Sequence, residues 1–299
     1  MRLDDFDPNI NVEDQRGRSF GGGGGFGGGG MLFGLLPLVF SRFGCGGVAV
    51  LLVLAVVLGN PLGLMGGGSQ APTQVEQKSG HDVQSSCTVD EQSRSACNAF
   101  SSAVKTWSAI FEEKGKPFEA PKLVFFSGQG QSGCGAAQSA MGPFYCPPDQ
   151  GIYLDTSFFD ELATRFGAKG DFAQDYVIAH EFGHHIQNLL GTSDKVSRAQ
   201  QAARSDAEAN EYSVRLELQA DCFAGVWAAH NRDRLEPGDI EEGMTAAHAI
   251  GDDTLQRETQ GRVVEASFTH GTSQQRMTWL KRGMDSGDYR QCNTFAGAI

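Results

Sequence analysis

The stretch Tyr176–Gly191, YVIAHEFGHHIQNLLG, constrains this chain more than any other. It contains His180-Glu181-Phe182-Gly183-His184. Residues four apart on an α-helix lie one turn above each other on one face. His180 and His184 can therefore both aim imidazole nitrogens at one metal ion. Zinc takes such nitrogens at about 2.0–2.1 Å in a roughly tetrahedral shell. Glu181 stands beside the metal rather than on it, where a general base for a metal-bound water belongs. The segment has the marks of a helix. Val177, Ile178, Phe182, Ile186, Leu189 and Leu190 supply a buried face, Gly191 suits the C′ position, and Asp171 is the expected N-cap. His185 points about 100° away from His184. It is expected behind the ligands or on the surface, not on the metal.

A catalytic zinc needs three protein ligands and an open position. Ser205-Asp206-Ala207-Glu208 reads as a capping box opening a long amphipathic run through roughly His230. Within it Glu217 and Asp221 form an E-x-x-x-D pair, again on one face. Glu217, 33 positions after His184, is the expected third ligand. Asp221, one turn on, is placed to accept the other N–H of a ligand histidine, most simply His180. Two alternatives stay open: Asp221 as the ligand, or both acids as solvated charges. The apolar flanks Leu216, Leu218, Cys222, Phe223, Val226 and Trp227 argue for burial. The longer pattern H-E-x-x-H-x-x-G-x-x-H does not fit, because Gln187 and Leu190 occupy its last two fixed positions.

The organisation is read from composition shifts. Residues 1–30 mix acids and arginines with glycine runs and are expected to form a disordered cytoplasmic tail. Residues 31–65 are expected to be a membrane anchor. No charge occurs between Arg42 and Glu76, and about twenty apolar residues span a bilayer. Arg16, Arg18 and Arg42 precede the apolar run, so the N-terminus is expected in the cytoplasm and the following domain outside the bacterial inner membrane. A cleaved signal peptide is the rival reading. Residues 66–86 read as a polar linker, and 87–299 as one globular domain.

Six of the seven cysteines lie in that domain, an even set that fits disulfides in an oxidising compartment. Local proximity favours Cys87 with Cys97 and Cys134 with Cys146, leaving Cys222 with Cys292. Val89–Lys114 reads as a helix with Cys97, Phe100, Val104, Trp107, Ile110 and Phe111 on one side. Lys122–Ser127, Gly142–Cys146 and Gly151–Asp155 read as strands that present an edge to an extended peptide or cover the metal helix. Asp239–Glu242 opens another helix through about Ile250. Thr272 or Ser273 caps the last helix. The formal net charge of −12 argues against nucleic acid as a partner.

In Ser267–Arg276, SFTHGTSQQR, His270 is a candidate donor to the oxyanion of a tetrahedral intermediate. Arg276 is a candidate to hold a substrate carbonyl, to position His270 or to brace the acidic residues.

Four segments carry a family resemblance: Gly133–Asp155, HEFGHHIQ from His180, RLELQADCFAGVWA from Arg215 and SFTHGTSQQR from Ser267. Together with the Gly-rich start and the apolar run, they resemble the bacterial neutral zinc metallopeptidases of the YpfJ-like type. The order H-E-x-x-H, E-x-x-x-D, T-H and Arg six residues later is distantly similar to the membrane-anchored gluzincins of the M48 type. That resemblance implies zinc on His180, His184 and Glu217, Glu181 as base, and Asp221 behind the ligands. It also implies His270 and Arg276 near the substrate. Gly271 departs from it, standing where proline is common. The expectation is an α+β, mainly helical zincin-like domain with a small antiparallel sheet, preceded by one transmembrane helix. Its expected function is zinc-dependent endopeptidase action on a protein or peptide. The alternatives are a zinc-stabilised envelope binding or assembly module, and a hydrolase of a non-peptide amide bond.

Overall fold

The structure, a computed structural model, describes residues 1–4, 6–18 and 82–299. The expected anchor, 31–65, and most of the expected linker lie outside the described residues. Among the described residues no helix is long and apolar enough to cross a membrane.

In chain order the strands are β1 (Val12–Asp14), β2 (Lys122–Phe126), β3 (Gln129–Ser132), β4 (Gly135–Gln138), β5 (Phe144–Cys146) and β6 (Gly151–Asp155). The helices are α1 (Val83–Cys87), α2 (Glu91–Glu113), α3 (Ser157–Thr164), α4 (Asp171–Leu189), α5 (Thr192–Ala202), α6 (Asp206–His230), α7 (Asp239–Ala249), α8 (Asp252–Gln260) and α9 (Ser273–Ser286). The mainly helical α+β expectation holds. The expected linker ends early, because α1 begins at Val83.

The sheet differs from the antiparallel one expected. Its order is β1-β2-β6-β5, with β1–β2 and β2–β6 parallel and only β5–β6 antiparallel. The reason lies in β2. Its apolar run Leu123-Val124-Phe125-Phe126 is buried on both faces, as central parallel strands are. A separate hairpin, β3–β4, joins β2 to β5, and the Cys134–Cys146 disulfide ties the two together. Cys87–Cys97, another of the neighbouring pairs expected, and Cys222–Cys292, the pair left over, are the other two bridges.

The expectation of a disordered start is overturned for residues 1–18. Val12, Glu13 and Asp14 pair with Leu123, Val124 and Phe125 in register. Met1 and Ile10 join the main core, and the Met1 nitrogen lies 2.7 Å from Asp171 and 3.2 Å from Asp239. Arg16 is the main tie. Its Nε and Nη2 donate to the two Asp14 oxygens, Nη1 to Ser93 Oγ, and Nη2 also to the Ser86 carbonyl. A three-residue strand has no periodicity to read; it forms because β2 offers an otherwise open edge.

The core is built by aromatic side chains from α2, α4 and α6. Phe100 meets Phe182 edge-on at 5.7 Å, Trp107 meets Phe223 at 5.4 Å, and Phe172 stacks on Trp227. Helices α6 and α9 approach closely at Gly225 and Gly283. A Cβ on Gly283 would fall 2.0 Å from the Cys222 carbonyl oxygen, and one on Gly225 2.1 Å from that of Leu280.

Replacing Arg16 by Ala leaves the nearly buried Asp14 carboxylate without its guanidinium. The expected cost is on the order of 2 kcal/mol, read from the denaturant midpoint. An unchanged midpoint would mean that Arg16 is not what ties this segment to the fold.

Candidate metal centre

Helix α4 starts at Asp171, with Gly170 (φ 111°) at the N-cap position instead of the expected Asp171. It ends at Leu190–Gly191, where Gly191 is left-handed (φ 69°), as a C′ glycine should be. Ser205 caps α6 through the Glu208 N–H, while Glu208 reaches back to the Arg204 N–H, so the box closes one residue early. The two helices nearly touch at Gly183. A Cβ there would sit 2.9 Å from the Ala220 carbonyl oxygen. The glycine inside the histidine motif is what lets α6 bring its carboxylates up to the imidazoles.

The result is a group of three side chains that could hold one metal ion. His180 Nε2 lies 3.1 Å from Glu217 Oε2, and His184 Nε2 lies 3.5 Å from Glu217 Oε1. One atom from each of the three falls within 4.8 Å of the other two. Neighbouring ligands on a tetrahedral zinc are about 3.4 Å apart. The donor set, two imidazoles and a carboxylate, therefore fits zinc both in type and in spacing. Glu181 follows His180 on the same helix, is 8% exposed, and its charge acts on His184.

Behind the ligands, Asp221 is fully buried. Its Oδ1 accepts from His180 Nδ1 at 2.8 Å and from the Tyr176 hydroxyl at 2.7 Å. Carboxylate on Nδ1 assigns the Nδ1–H tautomer and leaves Nε2 for the metal. Of the two acids left open by the sequence, Glu217 faces both histidines and Asp221 stands behind one of them.

Arg276 is corrected. Expected to bind substrate, it is 2% exposed and lies behind the ligands. Its Nε and Nη2 donate to Asp221 Oδ2 and Oδ1, both at 2.9 Å, and Nη1 donates to the Ile250 carbonyl. It braces the acid, the other role its position in the sequence allowed. His185 is also corrected. It is fully buried, with Nε2 on the Glu119 carbonyl at 2.7 Å and Nδ1 3.1 Å from the Tyr145 hydroxyl. It joins β5 to α4 and is not a surface group, and it lies outside the candidate ligand group, as expected. His270 sits in the turn before α9, close enough for its charge to act on Glu217.

The electrostatics follow. Burial alone would lower His180, but the Asp221 carboxylate raises it above the usual imidazole value. Burial also opposes charge on His184, yet the Glu217 carboxylate raises it to about 9. Burial would raise Glu217, and the His184 charge instead holds it well below the usual range. Asp221 goes down to about 2, because the Arg276 and His180 charges outweigh burial.

These features define a candidate zinc centre on a helical α+β scaffold. The chain belongs to the family described as "Putative neutral zinc metallopeptidase", whose pattern matches residues 1–295. It is similar to the uncharacterised protein YpfJ of Escherichia coli (strain K12), 49% identical over 97% of this chain and 96% of the relative. It is also similar to the uncharacterised proteins Mb2605 of Mycobacterium bovis and Rv2575 of Mycobacterium tuberculosis (strain H37Rv). Each is 45% identical over 60% of this chain and 64% of the relative. No solved structure matches significantly.

Two further residues, neither expected from the sequence, support the site: Asp252, which holds the His270 turn, and Tyr176, which shares Asp221. Tyr176 is one turn before His180, and that spacing was its available signal. Asp252 has no such spacing to His270.

Two outcomes are expected. With its pKa at about 9, His184 is charged at pH 7 in zinc-stripped protein, and a ligand histidine must be neutral. Zinc binding at pH 7 should release about one proton from this group, measured by calorimetry in buffers of different ionisation enthalpy. Because the pKa is raised on folding, this group's stabilisation of stripped protein is complete below pH 6.5 and is lost as pH rises through about 9. Second, Asp221→Asn leaves the buried Arg276 guanidinium without its carboxylate. The expected loss is about 3–5 kcal/mol, seen as a lower thermal midpoint.

Proposed function

We propose that this protein is a zinc-dependent endopeptidase of the gluzincin type, acting on protein or peptide substrates. The observation that carries the reading is the placement of Glu217 across both His180 and His184, at separations that suit one zinc ion. A zinc ion held there supplies Lewis-acid chemistry, polarising the scissile carbonyl and acidifying a water. The chain's own residues do the rest. Glu181 takes a proton from the attacking water and hands it to the leaving amine, which breaks the C–N bond. Asp221 keeps His180 in the tautomer that presents Nε2. Arg276 neutralises Asp221, so Glu217 remains the acid that meets the metal. His270 donates to the oxyanion as it forms.

The intact Glu181 supports catalysis over a purely binding role. A structural zinc site is closed by four protein ligands and has no use for a base beside it.

We further infer that the apolar residues 31–65 seat the protein at a bacterial inner membrane. Residues 1–18 and 82–299 belong to one body. That supports an arrangement with both flanks on the same side, in place of one crossing that separates them. The three disulfides favour the oxidising, outer side.

The expected result for Glu181→Gln is one zinc per chain with peptide cleavage reduced at least about 100-fold. Wild-type cleavage by this variant would remove Glu181 as the base. In a Cys45→Ser background, single cysteines at Glu13 and Lys122 should react with the same membrane-impermeant reagent from the same side. Labelling from opposite sides would restore the single crossing.

A further inference from the structure

Helix α8 starts with two acids, Asp252 and Asp253, both turned back onto the segment that carries His270. Asp252 Oδ2 accepts three successive main-chain N–H groups, from Thr269 at 2.7 Å, His270 at 2.6 Å and Gly271 at 3.1 Å. Its Oδ1 lies 3.2 Å from His270 Nδ1. The Asp252 N–H donates to the Gly271 carbonyl, which closes the contact from the other side. Asp253 does the same work two residues on, accepting from the N–H and hydroxyl of Ser273. Gly251 makes the approach possible, since a Cβ there would fall 2.4 Å from the Ser273 nitrogen.

Three amides converge on one Asp252 oxygen, which accepts from all of them. Asp252 is 8% exposed, so water contributes little to its solvation. His270 Nδ1 faces two oxygens, Thr269 Oγ1 at 3.0 Å and Asp252 Oδ1 at 3.2 Å. The hydroxyl can turn to accept, whereas a carboxylate only accepts, so a hydrogen on Nδ1 is the state that suits both. That leaves Nε2 as the nitrogen offered to a substrate.

We propose that Asp252 is the positioning residue of this site, holding His270 by its Nδ1 and its main chain so that Nε2 serves the reacting carbonyl. This rests on the peptidase reading for the role of His270, but the Asp252–His270 contact does not depend on it. The arrangement has the logic of a carboxylate that orients an imidazole and stabilises its positive form. Here that positive form donates an Nε2 hydrogen to the oxyanion. Asp252 touches neither substrate nor metal; it acts through His270.

The separation of Asp252 from Asp253 makes the idea testable. Both tie the turn to α8, but only Asp252 meets the imidazole. Asp252→Asn keeps one oxygen for the main-chain amides and replaces the acceptor facing Nδ1 with an NH2 group, which cannot accept. Asp253→Asn weakens the same turn without changing the imidazole's partner.

The experiment is nitrogen-resolved NMR of the His270 ring in the whole protein, paired with zinc content and steady-state cleavage of a broad peptide library. In wild type, Nδ1 should carry a proton. In Asp252→Asn that signature should be lost while zinc content stays at the wild-type value. The rate constant kcat should fall about 10- to 100-fold with KM little changed. Adding Asp252→Asn to His270→Ala should cost nothing further, because residues acting as one unit are non-additive. Asp253→Asn should leave the ring signature intact and retain most activity.

A bare Nδ1 in wild type overturns the proposal without any variant, so it stays decidable if Asp252→Asn fails to fold. Losses that multiply in the double variant overturn it too. So does an Asp253→Asn loss as large as that of Asp252→Asn, since Asp252 would then be only a loop anchor. If wild type cleaves no peptide, the peptidase reading fails, while the ring spectra still decide whether Asp252 holds His270.

Discussion

The ion pair between Asp221 and Arg276 is the interaction on which the candidate metal centre depends. Neither side chain is more than 2% exposed, and an isolated charge at such depth is prohibitively unfavourable. Each makes the other tolerable, and the guanidinium covers both carboxylate oxygens. The pair also demands a particular helix contact. Arg276 lies in the first turn of α9 and Asp221 in the middle of α6, so the two helices must run close together. Gly225 and Gly283 remove the side chains that would hold them apart. From that contact the dependence runs forward: α9 neutralises Asp221, Asp221 orients His180, and Gly183 lets α6 set Glu217 across His180 and His184.

Charge gives a second, independent account of the same site. Glu181, Glu217 and Asp221 bring three carboxylates into a buried region with one guanidinium. With both ligand imidazoles neutral, two negative charges remain unmatched. A divalent cation balances them. Protonating His180 and His184 balances them as well, and that is why both histidines are pushed upward in pKa despite burial, which alone would push them down. On the proposed reading, zinc and protons compete for the same two nitrogens, set against each other by carboxylates that favour positive charge in either form.

Much of this centre was legible in the sequence because helical spacing carries direction. His180, His184, Glu217 and Asp221 are two i, i+4 pairs, and each pair could be placed on one face before any fold was known. What sits off a helix repeat was not legible. Arg276 follows His270 by six residues across a turn and a cap, so nothing in the spacing says that it turns inward to Asp221 and not outward to a substrate. Asp252 contacts His270 across eighteen positions through a turn with no regular period. The strand Val12–Asp14 is too short to show alternation, and its order comes from β2. The same three residues beside glycine runs read as tail, and only the partner strand reverses that. The parallel direction of β1, β2 and β6 was hidden for the related reason that strand direction is a property of the pair, not of either strand.

The neighbours His184 and His185 show how far direction alone decides chemistry. They are adjacent, of one residue type, on one helix. Turned by about 100°, His184 meets Glu217 and is raised to about 9, whereas His185 meets a main-chain carbonyl and the Tyr145 hydroxyl. Burial dominates there, and its pKa drops to about 4. A histidine without carboxylate company becomes a neutral wedge, here joining β5 to α4. One with such company becomes a site for a cation. Because Glu217 and Asp221 both come from α6, the face of α4 that carries His180 and His184 is fixed by which side of it α6 covers. Glycine at 183 and not a larger residue is what allows that covering to be close. The small residue inside the motif thus ranks with the histidines around it in making the centre.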